Sequence, residues 1–178
     1  GTRAEVSLSM ARSDASGSQV HAVHTATVAS SIEIDLDRQR VPWLSALGAT
    51  PTGATWTTAV PGDAPDGMVT RWNGRWVIGS RTTIVTWRIA HAPSATGISL
   101  PRLPPAHAAV DPQAQMVAVT PTTGTVFAVD LDTVDGYAQF RRQPDTLLFS
   151  PFDDMGAFLG MPVQRRLYTA SIPAQPTP

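Results

Sequence analysis

The sequence predicts an all-β fold: an antiparallel β-sandwich or jelly roll with long ordered loops and little helix, formed as one domain over residues 1–178. Three observations carry this expectation. Strong helix formers are scarce, since the chain has no lysine and Glu5 and Glu33 are its only glutamates. Val, Ile, Thr and Trp recur in short runs broken by Pro and Gly, the composition of strands and turns. Several of those runs alternate apolar and polar residues, so each has one face to bury, and sheets of that kind pack in pairs. A chain of 178 residues is long enough to bury a core without staples.

Taken in order, the strands are expected at 4–11, 20–37, 67–72, 75–80, 82–91, 115–120, 125–132, 137–141, 146–149 and 163–172. The second is too long to run straight, so a bulge is expected near Ala29-Ser30-Ser31. Residues 41–66 carry Pro, Gly and Thr at irregular spacing and read as a long connection. Its Trp43, Leu44, Leu47 and Trp56 are too apolar for water, so the connection is expected to pack on the sheets, with one helical turn at 44–47. The proline-rich stretch 92–112 is a second connection. "DDMGAFLGM", residues 153–161, is expected to form a short helix capped by Asp153 or Asp154.

"TRWNGRW", residues 70–76, sets two tryptophans and two arginines about Asn73-Gly74. Asn-Gly is a strong signal for a two-residue hairpin loop, because both central residues of a type I′ turn need positive φ. A turn there puts Val69, Arg71, Trp76 and Ile78 on one face. Trp72 and Arg75 are then the more exposed pair near the tip, either steadying the hairpin as a cation–π pair or contacting a partner. In 82–91, Val85, Trp87, Ile89 and His91 share a face. In 125–132, Thr125, Phe127, Val129 and Leu131 do, and "TPTTG" turns the chain before them with Gly124 at positive φ. Trp76, Trp87, Ile89, Phe127, Val129 and Leu131 are the expected core.

The chemical constellations are sparse. His21 and His24 fall on opposite faces of a strand, so they cannot share a metal. Asp35/Asp37 and Asp130/Asp132 each share a face, but they sit at strand ends where aspartate caps turns. Asp153-Asp154 lacks the glycine and glutamate of a calcium loop. There is no nucleophile elbow or phosphate loop, and the lack of cysteine removes disulfides and thiolate metal sites. Arg141-Arg142 and Arg165-Arg166 suit a carboxylate, a sulfate or an interface ion pair. The contact residues are therefore expected to be Trp72, Arg75, Arg141 and Arg142, with no catalytic residue, cofactor or metal. A formal charge of −1 offers no basic field for nucleic acid. No apolar run is long enough to span a membrane, and no charged-then-apolar leader opens the sequence.

"GISLPRLPP" followed by "MVAVTPTTGTVFAVDLD" resembles the cadence of β-rich head domains in phage tail receptor-binding proteins, over residues 67–132. The lysine-free, Thr/Pro/Ala-rich composition is also similar to that of protruding domains on non-enveloped capsids. A glycine-rich shaft repeat and trimerising heptads are missing. The resemblance implies a virion-surface or extracellular β-domain that assembles with copies of itself and meets a host glycan or protein. The alternatives are a bacterial carbohydrate-binding β-sandwich, which needs an exposed aromatic platform, and a hydrolase using the paired aspartates, which needs a cleft with convergent carboxylates.

Overall fold

The computed structural model describes residues 3–11, 19–27, 41–60, 62–131, 134–143 and 165–173. In chain order these form β1 (Arg3–Ala11), β2 (Gln19–Thr27), β3 (Trp43–Thr50), β4 (Gly53–Val60), β5 (Gly67–Ile78), β6 (Arg81–His91), β7 (Gly97–Ser99), β8 (Thr120–Leu131), the short helix α1 (Gly136–Phe140) and β9 (Arg165–Pro173). Two 3₁₀ turns, Pro105–Val110 and Pro112–Ala114, lie between β7 and β8. Every strand pair is antiparallel.

The strands make a six-stranded sheet, β1-β2-β9-β8-β5-β6, and a three-stranded sheet, β3-β4-β7. This is the expected all-β, sandwich-like fold, with six strands in one sheet and three in the other among the described residues. Val41, Leu44, Leu47, Ala54 and Trp56 of the small-sheet region pack with Met68, Val126 and Ala128 of the large sheet. Farther along, Trp72, Trp76, Leu100 and Val119 form a second cluster, flanked by Val85, Trp87 and Ile89. A third cluster covers the opposite face of the large sheet, where Val69, Val129 and Leu131 meet Val134 and Phe140. β8 is therefore apolar on both faces because it is covered on both.

Asn73-Gly74 lies inside a strand. No turn forms there, and β5 runs unbroken to Ile78, pairing with β6 from Met68↔His91 to Ile78↔Arg81. The chain reverses at Gly79-Ser80, with Gly79 at φ 60 supplying the positive angle that a two-residue loop needs. Gly74 serves packing instead: a Cβ on it would run into the Trp72 ring. With β5 continuous, Met68, Thr70, Trp72 and Trp76 lie on one buried face. Both tryptophans thus point the same way, and Trp72 is 0% exposed. Arg71 stands opposite Arg88 and Thr125 rather than Trp76.

Other expectations change for local reasons. Residues 41–60 pack inward as expected but as the hairpin β3–β4, and the foreseen helical turn is a bulge with Ala46 at φ 51. Residues 115–119 are not strand; β8 begins at Thr120, and "TPTTG" lies within it as an irregularity opposite Asn73-Gly74. Residues 137–141 belong to α1 and its C-terminal turn rather than to a strand. Of the expected core, Trp76, Val129 and Leu131 are buried, while Trp87, Ile89 and Phe127 are half-buried against those clusters. The bulge at 29–31, the strand at 146–149, the helix at 153–161 and the Asp35/Asp37 and Asp153-Asp154 pairs lie outside the described residues.

Two buried carboxylates brace the loops. Asp66 accepts hydrogen bonds from the backbone N–H of Leu131 (2.9 Å) and Gly136 (2.8 Å), tying the start of β5 to the end of β8 and the first residue of α1. Asp111 accepts from Leu103 N–H (3.2 Å) and Gln113 N–H (2.8 Å), closing the proline-rich connection on itself.

Candidate functional site

Trp72, Arg75, Arg141 and Arg142 do not form one site. Trp72 is interior, its indole Nε1–H donating to the Thr50 carbonyl (2.9 Å) across the sandwich. Burial with that bond removes it as an external contact. Arg75 is exposed, because alternation along β5 turns it away from the core. Arg141 and Arg142 are exposed just after α1, whose Phe140 ring lies against Gly67 at the opposite end of β5. At ~3.4 Å per residue that places them roughly 25 Å from Arg75.

Arg75 does sit beside an apolar surface that the sequence reading missed. β8 pairs with β5 as far as Arg75↔Thr120, whereas β6 follows β5 onward to Ile78↔Arg81. The end of the β5–β6 hairpin therefore extends past its other neighbour. There Val77 and Ile78 are exposed, Ile78 to 58%, with fully exposed Met116 and partly covered Val117 on the segment leading to β8. Arg75, Val77, Val117 and Thr120 help line an open groove of about 420 Å³ at this end. Exposed apolar side chains gathered in one place mark contact surfaces more often than scattered ones do. The sequence signal was the run "WVIG", whose consecutive apolar residues cannot all face one core from a strand.

A second cavity, about 230 Å³, opens between the sheets and is lined by Leu44, Trp56, Thr58, Met68, Ala128 and the 93–96 loop, with no ionisable side chain. His91 lies nearby, its ring 5.0 Å from that of Trp56. Its Nδ1–H donates to the Ala92 carbonyl (3.4 Å), which leaves Nε2 to accept from Thr70 Oγ1 (2.8 Å). Both nitrogens of a neutral ring are thereby used, and burial lowers the pKa from 6.5 to about 4. Between those values the unfolded chain binds a proton that the folded chain refuses, so stability is full above pH 6.5 and falls as the pH drops toward 4. The loss expected is about 3 kcal/mol. Urea unfolding at pH 7 and pH 4 checks this: His91→Gln should flatten the dependence, and an equal slope in both proteins would contradict it.

Among the described residues no three His, Asp or Glu side chains cluster in a way that could hold a metal, and no helix is long and apolar enough to cross a membrane. The backbone places His21 and His24 an odd number of residues apart in β2, and Arg165-Arg166 at the start of β9. Compared with protein-family models, curated proteins and solved structures, the chain gives no match.

Proposed function

We propose that this chain is a non-enzymatic structural domain of a virion surface, a capsid protrusion or a tail receptor-binding domain. In this reading it assembles with copies of itself through the end of the β5–β6 hairpin. The observation that carries it is the groove lined by exposed Val77 and Val117 with Arg75, at a hairpin end where Ile78 and Met116 are also exposed. A partner's apolar side chain fits the groove, and a carboxylate or carbonyl fits the guanidinium. A host glycan or protein is the second class of partner. The tryptophans among the described side chains are buried or half-buried, so none of them offers the carbohydrate-binding alternative an exposed stacking platform.

The test is sedimentation of the purified chain beside a Val77→Ser/Ile78→Ser variant. Both side chains are exposed, so folding stability should change by no more than about 0.5 kcal/mol. Self-association should weaken by at least tenfold, which corresponds to about 1.4 kcal/mol. Association of unchanged strength would overturn the assignment of this surface. A glycan array with the same pair shows whether the groove takes a sugar instead.

A further inference from the structure

The edges of the two sheets are built differently. In the small sheet the pairing of β3 with β4 is broken between Trp43 and Leu44 and again between Ser45 and Gly48, and β7 ends after three residues. Bulges and short strands of this kind keep foreign strands from adding to an edge. β6 has neither defence. Its eleven residues, RTTIVTWRIAH, pair with β5 without a register shift and include no Pro, Gly or Lys. It ends the six-stranded sheet, and no described strand pairs along its other side. Apart from Ala90, whose carbonyl accepts from the Tyr137 hydroxyl (3.4 Å), it therefore offers a long regular row of backbone donors and acceptors.

We propose that β6 pairs antiparallel with β6 of a second copy about a two-fold axis at Thr86, joining two large sheets edge to edge. This rests on the self-assembly part of the reading above and assigns it a second surface and a register. The strand itself argues for its own copy as occupant. Pairing about Thr86 keeps each face of the sheet in line. On the inner face Val85 meets Trp87 and Thr83 meets Ile89, pairings of β-branched and aromatic residues that stabilise sheets. On the outer face Ile84 meets Arg88 and Thr82 meets Ala90. No cation faces another: Arg81 meets His91, whose pKa of about 4 leaves it neutral at pH 7. A register centred on Arg88 would oppose two guanidinium groups. Pairing along all eleven residues forms about ten interstrand hydrogen bonds, as many as an ordinary specific interface holds. The contact is isologous and closes at two copies. It points the two hairpin ends in opposite directions and leaves their grooves free.

Sedimentation equilibrium tests the register through a mutant cycle. Ile84 is 69% exposed and Arg88 is exposed, so neither replacement disturbs the core. In one chain the two lie four residues apart on a strand, about 13 Å, too far for direct pairing. In the proposed dimer each faces the other across the axis. Ile84→Lys should weaken dimerisation at least tenfold by setting lysine against the second copy's Arg88. Arg88→Glu alone should change it little, and Ile84→Lys/Arg88→Glu should restore it. Failure of Arg88→Glu to rescue, or a monomeric parent chain, overturns the proposal. If Val77→Ser/Ile78→Ser abolishes association while the 84/88 cycle shows no coupling, the hairpin end is the self-contact and the β6 edge is not. If the cycle couples and the Val77/Ile78 variant associates normally, the edge stands and the hairpin-end assignment falls.

Discussion

Trp72→Ala should lower the free energy of unfolding by about 3–5 kcal/mol, the cost of truncating a fully buried large side chain. Trp72 is 0% exposed and packs with Trp76, Leu100 and Val119. Its indole N–H bonds the Thr50 carbonyl and so links the large sheet to β3. Removing the ring opens a cavity and deprives that carbonyl of its donor. Gly74, whose missing side chain makes room for the ring, would add to the void. Trp72→Phe keeps most of the volume but loses part of the ring and the hydrogen bond, so its cost should fall well short of that of the alanine variant. Urea unfolding of the three proteins measures the difference. If Trp72→Ala were as stable as the parent, the ring would not be the core element described.

Asp66→Ala should cost about 3 kcal/mol, since two backbone N–H groups lose a charged acceptor and one of them is buried. The segment those bonds hold carries Val134, Tyr137 and Phe140, which cover Val69 and Val129 on the outer face of the sheet. Loss of the carboxylate should therefore loosen α1 as well as lower stability, seen as faster amide exchange at Gly136 and at the C-terminal turn of the helix. Asp66→Asn retains one acceptor oxygen and should fall between the parent and Asp66→Ala. Equal stability of all three proteins would show that the bonds contribute nothing net.

The fold was most legible where one face of a strand meets water. In β6 the exposed Thr82, Ile84, Thr86 and Arg88 alternate with Val85, Trp87, Ile89 and His91, and that alternation gave the correct faces. It failed in β5 because a strong local turn signal competed with a longer pattern. Read straight through, Met68, Thr70, Trp72, Gly74 and Trp76 form one unbroken period-two face. The turn preference of Asn-Gly lost to the burial of two indoles on that face. In β3 the bulge around Ala46 shifts the period midway, so Leu44 and Leu47 no longer look like one strand. The helix α1 was hidden for another reason. The side chain of its N-cap residue Asp135 makes no capping bond, and Gly136 N–H finds its acceptor in Asp66, seventy residues earlier. Of the candidate surface, Arg75 was visible as a residue beside a turn. The exposed end at Val77 and Ile78 was not, because it depends on where β8 stops pairing.

The order of strands in the large sheet also sets an order in time. β1 and β2 join the sheet through β9, and Gln19 waits for Ser171, about 150 residues later along the chain. At a synthesis rate of about 5–20 residues per second, the β1–β2 hairpin exists for roughly 8–30 s before its neighbour has been made. Pairings of such wide sequence separation form late and slowly. During that interval the β2 edge is a template for any strand nearby, including the same edge on a neighbouring ribosome's product. Correct assembly of this sheet is thus a race between completion of one chain and association of two.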